Sequence, residues 1–190
     1  MSAENQRLLS GSGSGGQMTG LSNVSGILTH NHSSDPSGWT ALDAIGDSIV
    51  QMRTASGVLA APDDLLIVSP QVWGALRRLK STTGEFLIRR DVDTAGALVR
   101  EGEATGPTDN LWGIPTLVTT DVDPSNVGQA SLIDTTKFGY AVIREGLTMR
   151  AGFSEDDFVR NLQRYVFETR LNITVVCPQC VLALSNLPTS

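Results

Sequence analysis

Two cysteines separated by two residues, Cys177-Pro178-Gln179-Cys180, carry the clearest chemical potential in this chain. A redox-active pair of this spacing places its first cysteine at a helix N-terminus, because that position lowers the pKa of a thiol. Here Val175 and Val176 precede the pair and Val181 and Leu182 follow it, a composition typical of strands. The activating helix is therefore not predicted, and two half-buried thiols are expected.

The same cysteines could supply half of a zinc site, which usually has four Cys or His ligands in a tetrahedron. The only histidines of the sequence, His30 and His32, could complete a Cys2His2 set. They stand two residues apart in a polar loop, which is a poor spacing for a preformed structural site. We therefore predict no metal or cofactor, and a thiol-redox or zinc-binding protein using Cys177 and Cys180 stays the alternative function.

The glycine-rich segment at residues 11–16 has the letters of a dinucleotide-binding fingerprint. That fingerprint works only between a strand and a helix N-terminus, where the helix end meets the pyrophosphate. Here a polar segment precedes the glycines, and Gln17-Met18-Thr19-Gly20 follows them. A flexible loop is therefore the preferred interpretation.

Acidic pairs are the remaining candidates for catalysis. Asp63-Asp64 and Asp156-Asp157 flank predicted elements and are interpreted as solvated helix caps. Glu101 and Glu103 lie in a predicted loop, and both histidines share one polar loop, so a Ser-His-Asp triad is not credible. No catalytic residue is predicted, and the chain is not expected to be an enzyme.

Composition limits the possible partners. The chain has 190 residues, a formal net charge of −6 and a sequence pI near 4.8. A nucleic-acid-binding surface needs a basic stripe, so sequence-specific nucleic acid binding is not expected. No apolar run of 18 residues predicts a membrane span, and the polar N-terminus does not resemble a signal peptide. Two cysteines are too few for a disulfide scaffold, which favours a reducing compartment.

A first amphipathic helix is predicted from Thr40, where Asp43 three residues later completes a capping box. Gly57 and Pro62 end it. Its apolar residues recur at spacings of three and four, which predicts that one face is buried. These residues are Trp39, Leu42, Ile45, Ile49 and Met52.

A second helix is predicted after Ser69, which caps it, with Pro70 at its first position. Gly84 closes it. Its predicted inward residues are Val72, Trp73, Leu76 and Leu79. Residues 3–9 could form a further short helix, whereas residues 10–38 and 91–110 are predicted to be loops, the second of them mobile.

Short strands account for the rest, and Pro115 would place its strand at a sheet edge or bulge. They are predicted at residues 65–68, 85–89, 111–119, 130–134, 138–144, 147–151 and 181–184. A much longer strand is predicted at residues 163–176, about 40 Å at 3.3 Å per residue, and residues 181–184 are expected to pair near it. Its residues alternate strictly between an apolar face (Tyr165, Phe167, Thr169, Leu171, Ile173, Val175) and a charged face (Arg164, Glu168, Arg170, Asn172, Thr174). Because helices and strands mix without βαβ regularity, the predicted class is α+β.

The order of motifs resembles the C-terminal portion of tailed-phage major capsid proteins, the Hong Kong phage capsid fold. Five motifs carry the resemblance between about residues 8 and 184. They are the glycines 11–15 before Gly20-Leu21, the segment Val68-Ser69-Pro70 to Leu87, Leu111-Trp112-Gly113-Ile114-Pro115, Phe138 to Gly146, and Phe158-Val159-Arg160-Asn161 with Arg170.

The resemblance implies a structural shell subunit of a tailed bacteriophage or prophage that assembles into pentamers and hexamers around the genome. Residues 1–38 would be the end of a spine helix and a glycine-rich loop. Residues 39–152 would be the axial domain, and residues 153–190 would be peripheral-domain strands. The arm, extended loop and most of the spine helix of such proteins are not in this sequence.

Partners and place also follow from the resemblance. The partners would be other copies of the chain, with portal or scaffold proteins as further partners, and the location would be the virion, with host cytoplasm before assembly. Some members crosslink subunits between a lysine and an asparagine, with a glutamate as base. Asn161 and Glu168 occupy similar positions, but the lysine's loop is absent, so ordinary strand residues are the preferred interpretation.

Overall fold

The structure is a computed structural model. It describes residues 2–15, 17–56, 64–84, 86–88, 109–122, 128–152, 160 and 163–189. The helices are α1 (Ser2–Ser10), α2 (Ala41–Ser56) and α3 (Pro70–Arg78). The strands are β1 (Leu28–Asn31), β2 (Asp64–Val68), β3 (Asp109–Leu111), β4 (Ile114–Val118), β5 (Ala130–Asp134), β6 (Gly139–Gly152), β7 (Arg164–Val175) and β8 (Val181–Ser185).

Six of these strands form one mixed sheet in the order β1-β8-β5-β2-β4-β3. β1 runs parallel to β8 and β2 runs parallel to β4, whereas the other neighbours are antiparallel. β6 and β7 pair only with each other among the described strands and form a separate two-stranded sheet. The predicted α+β class is confirmed.

The six-stranded sheet buries both of its faces. Period-two alternation sends Leu66 and Val68 of β2 to one side and Ile67 to the other. The first side packs against α2 and α3, and its fully buried residues include Ile45, Met52, Leu76, Leu132, Leu182 and Leu184. The second side holds a smaller cluster of Leu21, Ile67, Val122, Ile133 and Val181. The two helices and the sheet therefore share the main core.

The capping box of α2 is confirmed. The Asp43 carboxylate accepts hydrogen bonds from the backbone N–H and the hydroxyl of Thr40, both at 2.7 Å. The backbone bond and the hydroxyl bond hold the pKa of Asp43 below its ordinary value of 3.8. The predicted inward residues are buried except Trp39, which is 40% exposed, because it lies before the first helical turn.

We expect Asp43→Asn to destabilise the fold at pH 7 by an amount that shrinks in acid. The folded pKa lies below the unfolded one, so the contribution is complete above the unfolded value and is lost as pH falls through the folded value. Urea midpoints of both proteins between pH 7 and pH 2.5 measure the difference. A gap that stays constant over this range would show that the charge of Asp43 plays no part.

The second helix is shorter than predicted. Ser69 caps α3 by accepting the Val72 N–H at 3.2 Å, as expected, but α3 ends at Arg78 and not at Gly84. Residues 86–88 form no strand; Phe86 makes a single bridge to Lys80, whose ammonium lies 4.8 Å from its ring centre. Residues 85 and 89 of that predicted strand, and 91–108 of the predicted mobile loop, lie outside the described residues.

Three strand predictions are corrected by the topology. Residues 111–119 are the hairpin β3–β4, because Trp112 and Gly113 adopt positive φ angles of 51° and 83° and turn the chain. Pro115 is not at an edge, since β4 lies between β2 and β3. β8 pairs with β1 and β5 and not with the long strand.

The segment predicted to be a loop at residues 10–38 contains β1 and a compact glycine turn. Gly20 donates its N–H to the carbonyl of Gly11 at 2.8 Å, and a Cβ on either glycine would overlap neighbouring backbone. Close backbone approach therefore explains these glycines. The division at residues 38/39 and 152/153 stays a prediction, and pairings run across it: β1 joins the main sheet and β6 pairs with β7.

Candidate interaction surface

The pair β6–β7 is a long antiparallel ribbon that projects from the sheet. Its register runs from Gly139 opposite Val175 to Gly152 opposite Arg164. The predicted period-two strand is confirmed as β7. The two strands predicted at residues 138–144 and 147–151 are one strand, β6, with register shifts between Ile143 and Thr148. Those irregularities interrupt the alternation, which is why sequence reasoning divided β6.

The ribbon is amphipathic, because directly opposed residues of an antiparallel pair share a face. We call one side the apolar face; its members are Ala141, Ile143, Met149, Ala151, Tyr165, Phe167, Thr169, Leu171, Ile173 and Val175. The other side mixes charged, polar and apolar residues: Tyr140, Val142, Glu145, Thr148, Arg150, Arg164, Val166, Glu168, Arg170, Asn172 and Thr174. The contribution of β6 to the apolar face was missed from the sequence.

The outer part of the apolar face is open to solvent. Ile143 is 69% exposed, Met149 61%, Tyr165 53% and Phe167 62%. An isolated two-stranded ribbon is marginally stable in water, and a contiguous apolar surface usually marks an interaction site. The apolar face is therefore the strongest candidate surface among the described residues.

The inner end of the ribbon is anchored to the second core cluster. Phe138, Ile173 and Val175 pack against that cluster, beside Val181. At Gly139 a Cβ would overlap the carbonyl oxygen of Thr174, so the strands come together there more closely than a side chain permits. The ribbon thus has a packed root and an exposed outer end.

Two connections join the ribbon to the sheet. One runs from β5 to β6, where Asp134 Oδ1 accepts the N–H groups of Thr136 and Lys137, both at 3.1 Å. The other runs from β7 to β8, where the carbonyl of Phe138 accepts the Val176 N–H at 2.8 Å and the Cys177 N–H at 3.2 Å. Both connections are short turns that meet at Phe138.

The expectation of two thiols in the second connection is wrong. Cys177 and Cys180 form a disulfide, because a 3-10 turn at Pro178–Cys180 brings their Cα atoms to 5.3 Å. The predicted strand context on both sides is correct, and Cys177 is followed by this single 3-10 turn and not by an α-helix. The pair therefore lacks the helix N-terminus that activates a catalytic thiol.

The two histidines lie elsewhere. His30 pairs in register with Leu184, and the two cysteines are joined in a disulfide, so they do not supply thiolate ligands for a Cys2His2 site. Nε2 of His30 and Nδ1 of His32 lie 3.1 and 2.8 Å from Oδ2 of Asp35. Burial alone would raise the pKa of Asp35. The hydrogen bonds with His32 and His30 outweigh the effect of burial, so the pKa of Asp35 lies below its ordinary value. Among the described residues, no group of His, Cys, Asp or Glu has the arrangement of a metal site.

The remaining sequence candidates do not converge. Glu168 lies on the polar side of the ribbon, where its carbonyl accepts the Thr148 hydroxyl at 3.4 Å. Asn161 lies outside the described residues. Asp64, predicted to be a solvated cap, is instead 1% exposed, 3.5 Å from Arg53. Asp63, Glu101, Glu103, Asp156 and Asp157 also lie outside the described residues. The described helices include none long and apolar enough to span a membrane.

Comparison with known proteins provides independent evidence. A sequence model described as the phage capsid family matches residues 1–185. A search of curated proteins found no match.

Solved structures share the fold. The capsid of an empty GTA particle matches with a TM-score of 0.66 and 18% identity, covering 98% of this chain and 60% of that chain. Mycobacterium phage Che8 matches with a TM-score of 0.55 and 18% identity, covering 83% of this chain and 53% of that chain. A virus-like particle from Pyrococcus furiosus matches with a TM-score of 0.51 and 20% identity, covering 87% of this chain and 58% of that chain. The chain thus spans about three fifths of the length of the first of these, and the shared fold is that of capsid proteins.

Proposed function

The chain belongs to the phage capsid family, and from this premise we propose that it is a structural shell subunit of a tailed bacteriophage or prophage. Copies would assemble into pentamers and hexamers that enclose the genome. The fold of the main sheet and the membership of the family support this role. No catalytic function is proposed, and the proposed place is the virion, with host cytoplasm before assembly.

The apolar face of the ribbon carries this proposal, and we assign its occupant as a second copy of the chain. A shell needs contacts between copies, and the apolar face exposes four large apolar side chains together, Ile143, Met149, Tyr165 and Phe167. Covering one such side chain stabilises an interface by about 1.5–3 kcal/mol before the costs of association. Portal or scaffold proteins are the further partners in this proposal.

The proposed organisation keeps residues 39–152 toward the axis of a capsomer and residues 153–190 at its periphery, with residues 1–38 before them. The net negative charge of the chain fits a shell that encloses DNA without binding it tightly. Net repulsion among subunits of charge −6 opposes association, although salt screens it beyond about 8 Å. In dilute solution the 190-residue chain alone is therefore expected to be a monomer or a small oligomer and not a closed particle.

Sedimentation velocity and light scattering from about 1 to 100 µM test the proposal, with electron microscopy of the same samples. We expect reversible self-association that Ile143→Ser with Phe167→Ser weakens at least about tenfold, since two exposed apolar anchors are lost.

Val142→Ser with Val166→Ser is the matched control, because these exposed residues lie on the opposite side of the ribbon. Equal weakening by both pairs would contradict the assignment of the apolar face. Closed particles of uniform size from the unaltered chain would show that these 190 residues are sufficient for shell assembly.

A further inference from the structure

We propose that the Cys177–Cys180 disulfide is a reversible clasp that fixes the ribbon to the sheet when oxidised and loosens it when reduced. The inference rests on the proposed function of the ribbon as the surface that meets other copies. The pair would act on the conformation of its own chain and not on a substrate.

The position of the disulfide carries the argument. β5 and β8 are paired in the main sheet, and the ribbon strands β6 and β7 continue the same two chain segments outward. Both segments break at the root, at residues 135–138 and 176–180. Two adjacent breaks in paired strands make a hinge, whose motion is limited by the packing of Phe138, Ile173 and Val175 and by the contacts within the two turns.

The two turns are fastened by different chemistry. The turn after β5 is held by the buried carboxylate of Asp134, which is 2% exposed and accepts two backbone N–H groups and the Thr136 hydroxyl. In the turn before β8, the Cys180 N–H donates to the Cys177 carbonyl at 3.0 Å, and the disulfide closes the same four residues covalently. Only the second fastener changes with redox conditions.

The two sulfurs differ in access. Cys177 is half-buried, whereas Cys180 is 1% exposed. A small thiolate of the glutathione class can therefore attack the Cys177 sulfur. The disulfide bond breaks, Cys180 leaves as a thiolate and takes a proton from water, and a mixed disulfide remains on Cys177. A second small thiol resolves it, so that the chain becomes a dithiol and the small thiols become one disulfide.

The compartments of a phage life cycle would supply both states. Thiols are kept reduced in a cytosol and disulfides persist outside cells. Under the proposed function, the ribbon would be hinged while subunits assemble and would be clasped after the shell meets an oxidising environment. The direction of the change is thus from an adaptable to a fixed interaction surface.

Amide hydrogen exchange of the 190-residue chain, resolved by residue with NMR, tests the clasp with and without a trialkylphosphine reductant. We expect reduction to speed exchange at Val176 and Cys177 by about tenfold, because a closed four-residue loop is opened. Exchange in the interior of β2 and β5 should stay unchanged. Cys177→Ser with Cys180→Ser should reproduce the reduced rates without responding to the reductant.

Two results would overturn the clasp: equal exchange rates with and without reductant, or full alkylation of both cysteines in the air-oxidised chain. The proposed function fails separately, through the association measured for the apolar-face variants. If exchange at the root responds to reduction but association is unchanged by the Ile143 and Phe167 substitutions, the redox clasp is supported and the assembly role of the apolar face is contradicted.

Discussion

Replacing Trp73 by alanine should lower the free energy of unfolding by about 3–5 kcal/mol. Trp73 lies on α3, is 7% exposed and belongs to the main core between the helices and the sheet. Alanine would leave a cavity there, because α3 is fixed at its start by the Ser69 cap and cannot collapse freely. Urea denaturation followed by circular dichroism measures the change.

Two further tryptophan variants control this experiment. Trp39→Ala should change the denaturation midpoint little, since Trp39 is 40% exposed. Trp73→Phe should cost less than alanine, because the indole Nε1 of Trp73 has no hydrogen-bond partner in the described part of the chain. A midpoint unaffected by Trp73→Ala would mean that α3 does not pack on the core as described.

Replacing Gly139 by alanine should open the root of the ribbon. The added Cβ would overlap the Thr174 carbonyl oxygen, so β6 and β7 must separate where the ribbon leaves the sheet. Backbone strain of this kind costs about 1–3 kcal/mol, and exchange of the amides that pair at the root should become about 10–100-fold faster. Hydrogen exchange by NMR, read at Val175 and Val176, reports the change.

Gly152 provides the matched control within the same strand. No atom lies within 4 Å of the position that its Cβ would occupy, so Gly152→Ala should leave exchange at the root unchanged. If Gly139→Ala behaves like Gly152→Ala, the close approach at the root is not a constraint in solution, and the hinge needs another explanation.

Local patterns in the sequence determined the elements well. The Thr40–Asp43 capping box placed the start of α2, and Ser69-Pro70 placed the start of α3, because helix termini are satisfied by nearby side chains. Strict alternation placed β7, since side chains of a strand point to opposite faces. The end of α3 was missed because Leu79 leaves the helix at ψ 128° before the predicted glycine.

The resemblance to capsid proteins was also readable from ordered motifs, and the family comparison confirms it. The same motifs did not reveal why their glycines are required. In the N-terminal segment, Gly11 and Gly20 are needed because two backbones cross, and that contact joins residues nine positions apart.

The sequence by itself determined most helices and strands and the α+β class, because these depend on neighbours within a few residues. It also indicated the family, because the family is recognised from the order of its motifs. Only the tertiary structure decided the partners. β8 pairs with β1 across about 150 residues, β6 joins β7 to complete the apolar face, and a turn closes Cys177 onto Cys180. Such choices depend on the packing of distant segments, which local spacing does not encode.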